Sequence, residues 1–365
     1  MRKNIAVLPG DGIGPEVIKE AVKVMTAIAE KFSHDFTFNY GDIGAVSIDN
    51  HGIPLTASTI TLCEEADAIL FGAIGDPKYD NDPNAKVRPE QGLLGLRKSL
   101  GLFANIRPVT VYESLIHRSP LRADIIKGVD FVVYRELTGG IYFGDKGRDE
   151  TSAYDHCVYT AEEIDRISIM AFKAAASRNK KVTLVDKANV LETSRLWRER
   201  VQEIAKSFPE VTVELMFVDN AAMQIIQNPS NFDVVLTENM FGDILSDAAS
   251  VIPGSMGLLP SASIGLKTSL FEPIHGSYPQ AAGKNIANPL ATILSASMLL
   301  EQFDLFDEAQ LIREIVNLSL TTSYVTPDID PESTIGTTDI GDYIVKAIQE
   351  NNNSPIAPLR SDSSL

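Results

Sequence analysis

The stretch Asn4-Ile-Ala-Val-Leu8-Pro-Gly10-Asp-Gly12-Ile-Gly14-Pro15-Glu16 decides the fold class. Its mostly apolar start, Asn4 to Leu8, reads as a strand, the closely spaced glycines read as a turn, and the fixed φ of Pro15 suits the first turn of a helix. Outward from it the alternation continues: helix Pro15 to Lys31, strand Phe36 to Asn39, helix Thr56 to Cys63, strand Ala68 to Phe71. Such alternation predicts an α/β protein built on a mostly parallel sheet with helices on both faces. The Asp-, Asn- and Pro-rich run Asp76 to Pro89 reads as a mobile or substrate-facing loop, followed by a short helix carrying Gly92-Leu-Leu-Gly-Leu-Arg97-Lys98.

From Phe103 the pattern changes, with strand candidates at Phe103 to Ile106, Phe131 to Arg135 and Gly140 to Phe143. The span Thr138 to Tyr159 reads as an extended hairpin arm, too thin to bury much by itself and so expected to pack on a second subunit. Helix Ala161 to Arg178, strand Val182 to Val185, helix Leu191 to Lys206 and strand Thr212 to Phe217 restore the alternation. The last third offers helices Pro289 to Phe303, Glu308 to Thr322 and Thr338 to Gln349 but one strand candidate, Ser269 to Glu272. A sheet short of strands there is completed by those of the N-terminal third. The expected division is therefore a discontinuous first domain, 1–101 with 254–350, a second domain, 102–253, that includes the arm 138–159, and a polar tail, 351–365.

A chain of 365 residues is long enough for two cores, and 44% hydrophobic with 22% charged residues is ordinary for a globular enzyme. A net charge of -17 disfavours nucleic acid and anionic membrane as partners, since both are bound largely by Lys and Arg. Two distant cysteines, Cys63 and Cys157, fit a reducing compartment, and neither the N-terminus nor Ala291 to Leu300 is apolar for long enough to act as a signal core or a membrane span. A cytoplasmic protein is expected.

Three sets of residues carry chemistry. Asp219, and Asp243 with Asp247 at helical i, i+4 spacing, place carboxylates where like charges repel unless a cation sits among them, and oxygen-only ligands select Mg2+ or Mn2+ over zinc. A solvated acidic face is the alternative on spacing alone. Arg97, Arg107 and Arg135 could grip the carboxylates of a diacid through paired hydrogen bonds, and Arg107 and Arg135 read as strand-end residues. Surface ion pairs are the competing account of each arginine. Tyr142 and Lys187 are candidates for proton transfer. The turn Gly10 to Gly14 has G-x-G-x-G spacing, not G-x-G-x-x-G, so an ordinary dinucleotide-binding assignment is discounted there. The glycine-rich segment Glu272 to Pro289 is the better nucleotide candidate, against a plain structural loop. A phosphate-binding enzyme lacks a Gly-Lys-Ser/Thr here, and a non-catalytic cleft protein has no use for paired metal-binding carboxylates.

In order along the chain, Leu8-Pro-Gly-Asp-Gly-Ile-Gly-Pro-Glu16, Gly92-Leu-Leu-Gly-Leu-Arg97, Leu102-Phe-Ala-Asn-Ile-Arg-Pro108, Arg135-Glu-Leu-Thr-Gly-Gly-Ile-Tyr-Phe-Gly144, Asp186-Lys-Ala-Asn-Val-Leu191, Asn239-Met-Phe-Gly-Asp243 and His275-Gly-Ser277 resemble the isopropylmalate branch of the isocitrate and isopropylmalate dehydrogenase family. The resemblance implies oxidative decarboxylation of 3-isopropylmalate to 4-methyl-2-oxopentanoate with NAD and Mg2+ or Mn2+, in leucine biosynthesis, by a homodimer with shared active sites. Isocitrate, homoisocitrate, tartrate and alkylmalate are the related substrates. It further implies that Arg97, Arg107, Arg135 and Asp219 bind substrate, with Leu93, Leu94 and Val190 forming an apolar wall. Asp219, Asp243 and Asp247 would hold the metal, Asp219 and Lys187 arriving from the partner chain. Lys187 would take a proton and Tyr142 give one. Glu90, His275, Gly276, Ser277, Gln280, Gly283 and Asn288 would bind NAD. Gln280 stands where NAD-specific relatives commonly carry an aspartate, which implies weaker rejection of NADP.

Overall fold

The computed structural model describes residues 1–81 and 85–351, so the expected tail beyond Asn351 lies outside the described residues. In chain order its elements are β1 (Arg2–Gly10), α1 (Gly14–Phe32), β2 (Asp35–Tyr40), α2 (Ala45–His51), α3 (Ala57–Glu65), β3 (Ala68–Ala73), α4 (Pro77–Asp80), α5 (Glu90–Leu100), β4 (Ala104–Thr110), α6 (Ala123–Ile126), β5 (Asp130–Glu136), β6 (Lys146–Arg148), β7 (Ala153–Asp155), α7 (Ala161–Ser177) and β8 (Lys181–Asp186). There follow α8 (Glu192–Ala205), β9 (Thr212–Phe217), α9 (Val218–Gln227), β10 (Val234–Thr237), α10 (Asn239–Ala249), β11 (Pro260–Ile264), β12 (Ser269–Pro273), α11 (Leu290–Gln302), α12 (Phe306–Thr321) and α13 (Thr337–Glu350). The described chain divides into two compact units, Met1–Leu102 with 255–351, and Phe103–Gly254.

In the first unit β1 pairs in parallel with β2 and β3, β3 with β12, and β12 pairs antiparallel with β11. Helix α1 buries Val17, Ile18, Ala21, Val24, Met25 and Ile28, the stripe that i, i+3, i+4 spacing puts on one face. Helix α11 is buried from Leu290 to Glu301 on all sides, as its continuous run of apolar and small residues requires. In the second unit β5, β10, β8 and β9 run parallel and β4 closes the order antiparallel to β5. Phe131, Val133, Val185, Ile225, Val235, Leu245 and Ile252 are among the buried residues of its core. A Thr160–Glu163 capping box starts α7.

The structure corrects several expectations. Gly140 to Phe143 is a tight 3-10 turn and not a strand, because Gly140 takes φ +74 with the Tyr159 ring so close that a Cβ there would lie 2.3 Å from its hydroxyl. The arm is consequently shorter than Thr138 to Tyr159, its hairpin confined to β6 and β7. The last third contributes two strands, since β11 pairs with β12 from Pro260 opposite Pro273 to Ile264 opposite Ser269. Part of the loop Asp76 to Pro89 is helical, capped by the Asp76 carboxylate on the Lys78 amide, and residues 82–84 within it lie outside the described residues. Among the described residues no helix is long and apolar enough to cross a membrane.

Candidate active site

Parallel strands deliver their C-terminal ends to one edge, where functional side chains gather. In the second unit that edge carries Arg135 on β5, Glu238 after β10, Lys187 after β8 and Asp219 just after β9. Arg107 lies inside β4 and not at a strand end as its context suggested, but register compensates: Arg107 faces Val133 and Asn105 faces Arg135. Arg107 and Arg135 are thus diagonal neighbours on one sheet face. Helix α10 covers that face, and its polar residues meet the two guanidinium groups.

Arg135 Nη1 donates to Asp243 Oδ1 at 2.5 Å, while its Nε and Nη2 donate to Asn239 Oδ1 at 3.0 and 2.8 Å. Arg107 Nη1 donates to Ser246 Oγ at 2.7 Å and to Asp247 Oδ1 at 2.9 Å, with Nη2 at 4.0 Å from Asp243 Oδ1. The cations that the i, i+4 aspartates demand are, in this chain, two arginines. Gly242 permits the approach, since a Cβ there would stand 2.6 Å from Arg135 Cγ. The Arg107 Nε is buried without a hydrogen-bond partner.

Tyr142 donates its hydroxyl to Asp243 Oδ2 at 3.1 Å. Burial first, and then the neighbouring Asp243 carboxylate, push its pKa above the usual tyrosine value, so it stays protonated and is suited to give a proton. Lys187 is hydrogen-bonded to Asp219, and that bond holds the exposed Asp219 carboxyl below its ordinary pKa. Their pairing follows from the register in which Asp186 and Phe217 lie side by side at the ends of β8 and β9. The Lys187 turn is tied down by its amide on Ser194 Oγ at 3.0 Å. Val190, expected to wall the substrate, is 61% exposed in this chain. Among the described residues no three His, Cys, Asp or Glu side chains converge as a metal cage, so Asp219 is not brought to Asp243 and Asp247 within one chain.

Beneath the site lie two buried carboxylates. Glu136 accepts from the Gly139 amide at 2.7 Å and from Arg166 at 3.2 Å, and Glu238 caps α10 by accepting from the Phe241 amide at 3.0 Å. Burial raises the pKa of both. The sequence reading passed over Asn239, Ser246 and Glu238. Positions 239, 243, 246 and 247 share one helix face at spacings of three and four, a pattern that could have revealed Asn239 and Ser246.

The first unit holds the remaining candidates. Arg97 on α5 donates from Nη2 to Glu272 at 2.8 Å, and its buried Nε has no hydrogen-bond partner. On the same helix Leu93 is half-buried and Leu94 exposed. The turn Gly10 to Gly14 is shaped by protein contacts: a Cβ on Gly10 would meet the Ala73 carbonyl at 1.9 Å, and one on Gly12 the Ser277 carbonyl at 2.0 Å. Ile13 donates its amide to that Ser277 carbonyl at 2.8 Å, which joins the turn to the nucleotide candidate segment. Gly75, at φ +116, lies between Glu90 and Ser277, a Cβ there falling 3.0 Å from Glu90 Oε1 and 3.5 Å from Ser277 Oγ. The buried Asp11 carboxylate holds the surrounding loops, accepting from the amides of Ala45, Val46 and Gly75 at 2.9, 3.1 and 2.9 Å.

His275 Nδ1 lies 3.0 Å from the Gly276 carbonyl, which can only accept, so Nδ1 carries the proton. Burial lowers the His275 pKa, and Nε2 is left as a buried acceptor without a protein partner. Around Gly276 there is open space, whereas Gly283, at φ +76, donates its amide to Glu16. Gln280 is exposed. Asn288 is already engaged, donating to Asp328 at 3.1 Å and accepting from the Leu290 amide at 3.0 Å.

Residues 4–344 match the family model described as isocitrate/isopropylmalate dehydrogenase. The chain is 57% identical over 349 residues to the 3-isopropylmalate dehydrogenase of Bacteroides fragilis, covering 95% of this chain and 99% of that one. It is 52% identical over 361 residues to the 3-isopropylmalate dehydrogenase of Bacillus subtilis, covering 96% and 99%. Among solved structures, isocitrate dehydrogenase from Methylococcus capsulatus superposes with a TM-score of 0.84 at 34% identity over 95% of this chain and all of the other. A beta-decarboxylating dehydrogenase from Thermococcus kodakarensis gives 0.79 at 36% identity, covering 95% and 96%.

Proposed function

This chain belongs to the isocitrate/isopropylmalate dehydrogenase family, and from that premise we propose that it oxidises and decarboxylates 3-isopropylmalate to 4-methyl-2-oxopentanoate and CO2 with reduction of NAD, a step toward leucine. The observation that carries the reading is the cluster of Arg107, Arg135, Tyr142, Asp243 and Asp247. Arg97, Arg107 and Arg135 bind the two substrate carboxylates through paired guanidinium hydrogen bonds. Leu93 and Leu94, with Val190, receive the isopropyl group. A third carboxylate set against them would lose hydration without a partner, which ranks isocitrate and homoisocitrate below isopropylmalate.

Asp243 and Asp247 present hard oxygen donors from one helix face, a donor set that fits Mg2+ or Mn2+ once joined by Asp219. A divalent ion held there would supply Lewis acidity toward the substrate hydroxyl, and NAD would supply the hydride acceptor. Lys187 takes the C2 hydroxyl proton. Tyr142, kept protonated by its surroundings, returns a proton to the carbon that loses the carboxylate. Glu90, His275, Gly276, Ser277, Gln280, Gly283 and Asn288 form the NAD segment, Asn288 by shaping the loop through Asp328 and Gln280 by meeting the ribose without excluding a phosphate.

A homodimer accounts for what one chain does not assemble. Met223 on α9, Ile244 on α10 and Val251 after it are all exposed, an apolar set suited to a second copy. Asp219 and Lys187 would then serve the Asp243 and Asp247 of the opposite protomer. The test is the initial rate of NAD reduction with 3-isopropylmalate, isocitrate and tartrate, each with Mg2+, with Mn2+ and after thorough chelation. The reading requires 3-isopropylmalate to be preferred and the chelated enzyme to be inactive; preference for isocitrate or tartrate overturns it.

A further inference from the structure

Asn239 is fully buried, yet nothing in the proposed chemistry uses it. Its contacts are complete and directional. Oδ1 accepts from Arg135 Nε at 3.0 Å and Nη2 at 2.8 Å, Nδ2 donates to the carbonyls of Leu137 at 3.1 Å and Gly139 at 3.2 Å, and the backbone amide donates to the Tyr159 hydroxyl at 2.9 Å. The orientation of the amide is fixed, because the guanidinium can only donate and the two carbonyls can only accept. Leu137 and Gly139 lead directly into the Gly140–Tyr142 turn that presents the Tyr142 hydroxyl. Asn239 also begins α10, one helical turn before Asp243. One side chain therefore holds Arg135 on β5, the turn bearing Tyr142 and the start of the aspartate helix.

We propose that Asn239 is a positioning residue that sets the angle of the Arg135 guanidinium, and through it the grip on a substrate carboxylate. This deepens the dehydrogenase reading and rests on it. With Asn239 on the Nε–Nη2 edge, Nη1 is turned toward Asp243. Alanine at 239 removes the acceptor common to both donors, so the guanidinium can rotate about its long stem. Serine or alanine here changes no atom that touches the substrate. An asparagine at the first position of a helix, beside Glu238, reads as an ordinary cap in sequence, but Glu238 performs the capping.

The experiment is a double-mutant cycle of Asn239→Ala and Arg135→Lys, with KM for 3-isopropylmalate, KM for NAD, kcat, and calorimetric binding of 3-isopropylmalate to the enzyme without NAD. Displacing a gripping group by an ångström can cost about 100-fold. Asn239→Ala should lower kcat/KM for 3-isopropylmalate and weaken its calorimetric affinity by about that order, with KM for NAD within roughly twofold of wild type. In the Arg135→Lys background the same substitution should weaken the calorimetric affinity for 3-isopropylmalate by less than about threefold, because lysine lacks the edge that Asn239 holds. Asn239→Asp keeps an oxygen toward Arg135 but sets its second oxygen against the carbonyls of Leu137 and Gly139, so it should recover most of the affinity for 3-isopropylmalate while kcat stays low. An equal loss in both backgrounds, or KM for NAD rising in step with that for 3-isopropylmalate, overturns the proposal. If Asn239→Ala does not fold, as circular dichroism would show, Asn239→Asp decides, and an Asp variant that disturbs both KM values alike also overturns it. A wild type that fails to turn over 3-isopropylmalate instead removes the functional reading, and this inference with it.

Discussion

Asp11→Ala should destabilise the loops at the strand ends of the first unit, and the size of the effect follows from its contacts. The carboxylate accepts three backbone amides, Oδ2 taking Ala45 and Gly75 at 2.9 Å each and Oδ1 taking Val46 at 3.1 Å. A stranded buried donor costs roughly 1–3 kcal/mol, so three approach about 3–9 kcal/mol before water fills part of the space left by the carboxylate. The lower end, about 3 kcal/mol, corresponds to a loss of hydrogen-exchange protection on the order of 100-fold at Ala45 and Gly75. Asp11→Asn keeps one oxygen and should cost about half as much. Its difference from wild type must also depend on pH. Burial raises the folded pKa of Asp11 above the ordinary 3.8 in spite of the amide bonds, so the protonated form is favoured by folding. The wild type's advantage over Asp11→Asn is therefore greatest below pH 3.8 and declines as pH rises through the elevated folded value. Amide exchange measured by mass spectrometry across that range tests both statements. Unchanged protection at Ala45 and Gly75, or an advantage that grows with pH, refutes the reasoning.

Tyr142→Phe should lower turnover by about 100- to 10,000-fold by removing a general acid, and since the tyrosine pKa is raised, the alkaline limb of the wild-type pH–rate profile due to this acid should lie above the ordinary tyrosine range. Leu93→Ser should reduce kcat/KM for 3-isopropylmalate by roughly 10- to 100-fold while changing that for malate less than about threefold, compared by initial rates. Co-refolded mixtures of Lys187→Ala and Asp243→Ala chains should recover activity that neither has alone, because one site of the heterodimer then has both residues intact; proven mixing without recovery contradicts a shared site.

Regular alternation made most of the first unit legible, since α1 carries its apolar stripe from Val17 to Ile28, β1 holds the apolar run Ile5 to Leu8 and β3 is apolar throughout. The strand β10 escaped notice because Val234 to Thr237 is only four residues, all buried, between Asp233 and the conspicuous acidic helix. Strand β11 begins at Pro260 and continues through Ser and Ala, residues whose place in a sheet comes from pairing with Ser269 to Pro273 and not from their own preference. The pattern Gly-Ile-Tyr-Phe around Tyr142 has strand composition, and only the packing of Tyr159 against Gly140 turns it into a bend. Spacing placed Asp243 and Asp247 together correctly on α10. It could not show that Arg107 and Arg135 compensate them, which depends on antiparallel register between β4 and β5. Spacing could place Asn239 on the aspartate face of α10, but neither its role nor that of Asp11 was readable, because a buried polar residue is understood through its partners, and those lie far away in sequence.

The most direct test of the central claim is the product balance of a single incubation with 3-isopropylmalate, NAD and Mg2+. NADH, CO2 and 4-methyl-2-oxopentanoate should appear in equal amounts and together. NADH formed without CO2, or no oxidation of 3-isopropylmalate at all, would contradict the account.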